Sequence, residues 1–187
     1  MDDRARWNQR YEAAEDTDSP PAVVAQLLPL LPSSGQALDV AGGRGTTSAA
    51  MAELGLEVTL VDVSDVALVR VADRARRLGL VISTERHDLR ADGLPEGRWD
   101  VICCFHYLDR DLLPQLADAL NRGGLLAIAI ATRTNLERRS RPSAAHLLED
   151  GELAAFAESR SDLEILSYSE GWNEHDRHEA ELFARRV

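Results

Sequence analysis

The chain has 187 residues, 44% of them hydrophobic and 28% charged, which suits one domain with a substantial core. Its formal net charge of -11 opposes attraction to nucleic acid or to an anionic membrane, both of which require a basic surface. No charged–apolar–small leader pattern opens the sequence, and no apolar run approaches membrane-spanning length, so a cytoplasmic protein without nucleic-acid or membrane partners is expected.

In chain order, residues 2–12 predict a short amphipathic helix with Trp7 and Tyr11 at helical spacing. A polar, turn-forming stretch follows over 15–20. Pro20-Pro21 then opens a helix carrying Val23, Val24, Leu27, Leu28 and Leu31, which Pro32-Ser33-Ser34-Gly35 ends. A first apolar strand begins near Ala37, and residues 46–54 predict the helix behind it. Val58-Thr59-Leu60-Val61-Asp62 is a second strand. Ser64 caps the next helix, which turns Ala67, Leu68, Val71, Ala72, Ala75 and Leu78 inward and has Gly79 past its end. The apolar stretch 80–82 leads to His87-Asp88-Leu89. Trp99-Asp100-Val101-Ile102-Cys103-Cys104-Phe105 is a fourth strand, and residues 111–120 form a helix closed by Gly123-Gly124. Residues 163–169 and 178–187 read as two strands joined by a polar turn over 172–177. Buried strands alternating with helices imply a doubly wound, Rossmann-like α/β sheet, mostly parallel, with this hairpin as its antiparallel edge.

The segment Ala37-Leu38-Asp39-Val40-Ala41-Gly42-Gly43-Arg44-Gly45-Thr46 carries the most chemistry. A strand ends in a carboxylate and a glycine turn, and a helix opens directly behind. Glycines let the backbone bend and let a ligand lie against bare peptide. The helix start presents unpaired N–H groups. The second strand also ends in a carboxylate, Asp62, placed to accept ribose hydroxyls, and Asp88 follows the third. A dinucleotide fingerprint matches only in part, since Gly43-Arg44-Gly45-Thr46-Thr47-Ser48 has serine in the third glycine's place. Asp39 also disfavours a pyrophosphate, while it suits an ammonium or sulfonium charge.

An acidic residue followed by a Gly-x-Gly turn resembles the first motif of the class I S-adenosylmethionine-dependent methyltransferases. The resemblance covers nearly the whole chain in the family's order: residues 37–45, 58–64 and 87–89, the strand 99–105, and the turn Asn121-Arg122-Gly123-Gly124-Leu125-Leu126. Through Trp7-Asn8-Gln9-Arg10-Tyr11 and Phe105-His106-Tyr107-Leu108 the chain is similar to small bacterial members of the tellurite-resistance (chalcogenite) and thiopurine methyltransferase type. The resemblance implies a seven-stranded sheet and one methyltransferase domain over 1–187. Within it, 1–32 would be N-terminal helices and lid, 36–131 the cofactor-binding core, and 132–187 a substrate-side loop, helix and hairpin.

It also implies site roles. Asp39 would lie near the methionine moiety, with Ala41, Gly42, Gly43 and Gly45 as the backbone bed. Asp62 and Val63 would meet the ribose, and Asp88 and Leu89 the adenine. Trp7, Arg10 and Tyr11 would fold over the cofactor, and Phe105 would border the transfer site. Each has a plainer reading: Trp7 and Tyr11 as packing anchors, Asp88 as a loop carboxylate, Arg44 as a solvated charge rather than a clamp on a ligand carboxylate. His106 is the one candidate general base, or else a structural histidine. Cys103 and Cys104 read as buried strand residues, unsuited as neighbours to a structural disulfide and consistent with a reducing compartment. His175 and His178 belong to a polar turn, without a zinc-helix signature, so no metal is expected. The basic run Arg138-Arg139-Ser140-Arg141, within the insert 132–145, is a solvated loop or a flap over the site. The expected activity is methyl transfer (EC 2.1.1.-) from S-adenosylmethionine to a small-molecule acceptor, with soft sulfur, selenium or tellurium nucleophiles among the candidates. A nicotinamide-dependent oxidoreductase and a non-catalytic S-adenosylmethionine-binding protein are the alternatives. Oligomeric state has no signal in the sequence.

Overall fold

The computed structural model describes residues 2–14 and 19–187, so the turn expected over 15–20 lies largely outside the described residues. Seven strands form one sheet: β1 (Gly35–Val40), β2 (Leu56–Asp62), β3 (Ile82–Arg86), β4 (Trp99–Phe105), β5 (Leu120–Ala131), β6 (Leu163–Trp172) and β7 (His178–Arg186). Their order is β3-β2-β1-β4-β5-β7-β6. The first five run parallel, and β7 inserts antiparallel between β5 and β6. Strand order reverses between β1 and β4, the place where open α/β sheets bind ligands beyond the carboxyl ends of their strands.

Alternating side chains build a core on each face. Leu38, Val40, Ile102, Leu126, Ile128 and Ile130 share one face with Leu112, Leu113, Leu116 and Leu153. The latter come from α6 (Leu112–Asp118) and α7 (Glu152–Glu158). Ala37, Val101, Cys103, Leu125, Ala127 and Phe183 face the other way, against Val23, Val24, Leu27 and Met51. Those residues come from α2 (Val23–Leu27) and α3 (Thr46–Glu53). Asp39 shares the parity of Ala37, which turns its carboxylate toward α3.

α4 (Asp65–Leu78) follows the expected capping. The Ser64 hydroxyl accepts the Ala67 N–H, and Gly79 ends the helix in the left-handed conformation at φ 68°. Leu78 is a correction: it is exposed, and Arg74 takes a buried place on the helix instead. Gly123-Gly124 is a second correction. α6 ends at Asp118, and the two glycines lie inside β5, where the pairing jumps from Trp99–Leu120 to Val101–Leu125. The register shift uses the extra residues as a bulge rather than as a helix stop. The helix expected after Pro20-Pro21 is likewise shorter, giving way to a 3-10 turn at Leu28–Leu30. Among the described residues, no helix is long and apolar enough to cross a membrane.

Candidate functional site

Three strand ends meet at the topological switch. After β1 the chain turns through Ala41, Gly43 and Gly45, all at positive φ (52°, 51° and 66°), and Gly45 caps α3. An alanine side chain tolerates that region poorly, so Ala41 marks local strain at the turn. The glycines are close-packed as well as bent: a Cβ on Gly42 would meet Leu60 Cγ at 2.6 Å, and one on Gly45 would meet Val71 Cγ2 at 2.6 Å.

Asp62 closes β2 and organises the turn. Its Oδ2 accepts the Gly43 N–H at 2.9 Å and its Oδ1 accepts the Ser64 N–H at 2.9 Å. Two bonds leave lone pairs on both oxygens of the carboxylate. Burial raises its pKa against the pull of the Ser64, Gly43 and Val63 amides. Asp39 is 2% exposed, and its Oδ2 accepts the Ser48 hydroxyl at 2.6 Å. Burial pushes its pKa up to about 7 against the Ser48 hydrogen bonds, with the Asp62 charge adding to the rise. Two carboxylates thus flank a bed of backbone N–H groups, and the deeper one is poised between charged and neutral states. Ser48 was missed by the sequence reading, although its place on the first turn behind the glycines was a usable signal.

α1 (Asp3–Glu12) lies across this turn, resting on the start of α4. Asn8 Oδ1 accepts the Ser64 hydroxyl at 2.7 Å, and Arg4 pairs with Asp65 at 2.6 Å. Trp7 and Tyr11 stack with centroids 5.7 Å apart, and the Arg10 guanidinium sits 5.1 Å over the Trp7 ring. The Tyr11 hydroxyl occupies the space a Cβ on Gly43 would take. Burial raises the Tyr11 pKa, and the Asp62 charge adds to it. Tyr11 and Arg44 also line a cavity of about 20 Å³ with Ala67, Arg70, Arg74 and Arg77, room for about one water. Arg44 contributes structurally through its carbonyl, which accepts from Arg74 Nη1 at 2.9 Å.

The remaining candidates divide. Asp88 caps α5 (Leu89–Asp92), accepting the Arg90 and Ala91 N–H groups, and Leu89 is buried in the core beneath. Phe105 is buried at the end of β4, and Val63 is half-buried beside Asp62. Cys103 and Cys104 are buried with thiols pushed well up by desolvation, Cys104 to about 12, so neither forms a thiolate near neutrality. His175 and His178 separate: His175 is exposed, while His178 Nδ1 meets Thr132 Oγ1 at 2.7 Å. The Arg138-Arg139 run packs on the β6–β7 turn. Arg138 pairs with Asp176 at 2.7 Å and covers the Trp172 ring at 3.9 Å, and Arg139 Nη2 donates to the His175 carbonyl at 2.6 Å.

His106 follows β4 at φ 61°, with its ring Nδ1 3.2 Å from Glu179 Oε1. Glu179 is 7% exposed on β7 and had no signal in the sequence, since β7 reaches His106 only through the sheet order.

Comparison with known proteins agrees with this arrangement. Residues 37–124 match the family described as "Methyltransferase domain". By sequence, no curated protein matches the chain. Among solved structures, TehB from Haemophilus influenzae superposes at TM-score 0.75 with 22% identity, covering 97% of this chain and 67% of that one. Magnesium protoporphyrin IX methyltransferase (ChlM) from Synechocystis PCC 6803, with bound SAH, gives TM-score 0.75 and 17% identity over 98% of both chains. The [4+2]-cyclase SpnF gives TM-score 0.67 and 17% identity over 88% of this chain and 80% of that one, so one fold hosts different reactions. Over residues 37–124 the chain is similar to the methyltransferase-domain family, and its whole sheet has the Rossmann-like fold of these structures.

Proposed function

We propose that this protein is an S-adenosylmethionine-dependent methyltransferase acting on a small-molecule acceptor. The observation that carries the reading is the pair of buried strand-end carboxylates, Asp39 and Asp62, flanking the N–H-rich turn of Gly43. Asp39, placed just before the glycine turn, disfavours a pyrophosphate, which counts against a nicotinamide dinucleotide. The same pair suits a ligand with ribose hydroxyls at one end and a cationic amino-acid group at the other. When bound, S-adenosylmethionine supplies a methyl carbon already activated by a sulfonium leaving group.

The chain's task is then alignment and exclusion of water. Asp62 accepts the ribose hydroxyls beside Val63, and Asp39 faces the cationic end. The backbone of Ala41, Gly42, Gly43 and Gly45 forms the bed. Leu89 and Asp88 border the adenine, Phe105 borders the acceptor, and Trp7, Arg10 and Tyr11 cover the site. Soft sulfur, selenium and tellurium nucleophiles are among the candidate acceptors, on the strength of the opening Trp7–Tyr11 motif and the Phe105–Leu108 stretch. Two buried free cysteines suit a reducing cytoplasm.

The test is transfer from methyl-labelled S-adenosylmethionine to small thiols, selenite and tellurite, followed by release of S-adenosylhomocysteine. Labelled product with saturation in both reactants is expected. Cofactor binding without transfer to any member of a broad acceptor set supports the non-catalytic alternative instead.

A further inference from the structure

The antiparallel edge of the sheet gathers a second set of polar side chains, three strands along from the glycine turn of β1. His178 opens β7, and Glu170, near the end of β6, pairs with Ala180. Positions two apart on a strand share a face, so His178 lies on the side of Ala180 and Leu182, the face that Leu153 and Ala157 of α7 cover. Glu170, opposite Ala180, joins it there. A parallel bridge between Thr132 and Leu148 carries the loop before α7 past the end of β5 and brings in Asp150. Asp150, Glu170 and His178 each turn a ligand-type atom to one point, where the three lie within 4.8 Å of one another. The sequence reading compared His178 with His175 and found no zinc signature; the fold gives His178 different neighbours, at spacings that form no linear motif.

Each of the three is held by partners of its own. His178 Nδ1 meets the buried Thr132 hydroxyl at 2.7 Å, and its ring stands edge-on to Trp172 at 5.2 Å. Thr134 donates its backbone N–H and its hydroxyl to Asp150. The Tyr168 hydroxyl and the Gly151 N–H donate to Glu170. These donors orient the carboxylates and leave lone pairs on both, the setting in which metal ligands are commonly fixed by their outer partners. The charge around them is also uncompensated. Glu149, Glu152, Asp176 and Glu179 nearby pair with Arg133, Arg110, Arg138 and Arg177 respectively. Among the described residues, neither Asp150 nor Glu170 pairs with an arginine. Asp150 is exposed, which gives an ion a way in.

We propose that Asp150, Glu170 and His178 bind a divalent transition-metal ion, zinc above all, at a site separate from the proposed cofactor bed. Magnesium and calcium prefer sets made wholly of oxygen, whereas zinc takes imidazole nitrogen and carboxylate oxygen together. Bonds of about 2.0–2.2 Å to one ion place its ligand atoms about 3–4 Å apart, so small side-chain rotations close the site. Three protein ligands leave the fourth tetrahedral position to water. The ion ties the loop before α7 to the β6–β7 edge, and nothing in this assignment depends on the methyltransferase reading.

Calorimetric titration of tag-free, chelator-treated protein with zinc chloride tests it, with calcium and magnesium chloride as controls. One zinc per chain and little response to calcium or magnesium are expected, and zinc should raise the melting temperature because it binds the folded chain. Asp150→Asn and Glu170→Gln should each weaken zinc binding by about 100-fold or more, since losing even an outer partner of a ligand costs about 10- to 100-fold. His175→Ala, at an exposed position of the same hairpin, should bind zinc as the parent protein does. Long-range 1H–15N correlation on the histidine-labelled parent protein gives a reading that no variant's folding can obscure. Zinc should shift the His178 ring nitrogens and leave those of His146 and His175 in place. No zinc binding by the parent protein overturns the proposal. Undiminished binding in both carboxylate variants, an equal response to calcium, or zinc shifts at His146 or His175 alone overturn it too.

Discussion

Asp39 gives the site a pH signature. Its pKa rises in the folded chain from 3.8 to about 7, so the neutral form is the one that folding favours. The associated stability is complete below about pH 4 and is lost as pH rises through 7, on the order of 2–4 kcal/mol by pH 8. Thermal denaturation should therefore show the parent protein losing stability relative to Asp39→Asn between pH 5 and pH 8; a constant difference contradicts the buried acid. A cationic ligand reverses the preference, because it binds the charged carboxylate. Affinity for S-adenosylmethionine should rise about eightfold from pH 6 to pH 7.5 as Asp39 ionises. At Asp62 the effect is simpler. Asp62→Ala removes the acceptor for two backbone amides and for the ribose hydroxyls, and should weaken cofactor binding by about 10- to 100-fold. Unchanged affinity in Asp62→Ala puts the ribose elsewhere.

At the scale of elements, α1 is the least embedded helix. It has no fully buried residue and is held to α4 by the Asn8–Ser64 and Arg4–Asp65 contacts. Its Tyr11 hydroxyl lies against Gly43, in the space beside the proposed bed. Ligand entry and α1 position are thus coupled, and amide exchange over residues 3–12 should change when S-adenosylhomocysteine binds. Identical exchange with and without a saturating ligand rules out a covering role for this helix. Ser64→Ala removes the cap of α4 and the Asn8 contact together. About 1–2 kcal/mol of stability should be lost, with exchange in α1 rising more than in α6. Sequence periodicity found α1 and α4 readily. It failed at the last turn of α4, where Leu78 fits the helical stripe but is exposed, while Arg74 is buried and bonds to the distant Arg44 carbonyl.

Across the whole molecule, the parallel core and the antiparallel edge were both legible. Asp39, Asp62 and Asp88 recur after strands in an order that only an α/β sheet explains, and the closing strands have no helix between them. One partner far apart in sequence was not legible: Glu179 beside His106 depends on which strands become neighbours, and a one-residue slip in β7 would turn Glu179 to the opposite face. β7 also has structural weight, with Phe183 1% exposed on the core face shared with Met51 and Val101. Phe183→Ala should cost about 3–5 kcal/mol in chemical denaturation, and a cost below about 1 kcal/mol contradicts a central β7.

The central claim is that the glycine turn and its two carboxylates hold an adenosyl sulfonium ligand. Calorimetric titration with S-adenosylmethionine and S-adenosylhomocysteine, with NADH and NADPH as controls, tests it most directly. Saturable one-site binding of the adenosyl compounds alone is the predicted result; binding of only the dinucleotides would contradict the cofactor assignment while leaving the fold intact.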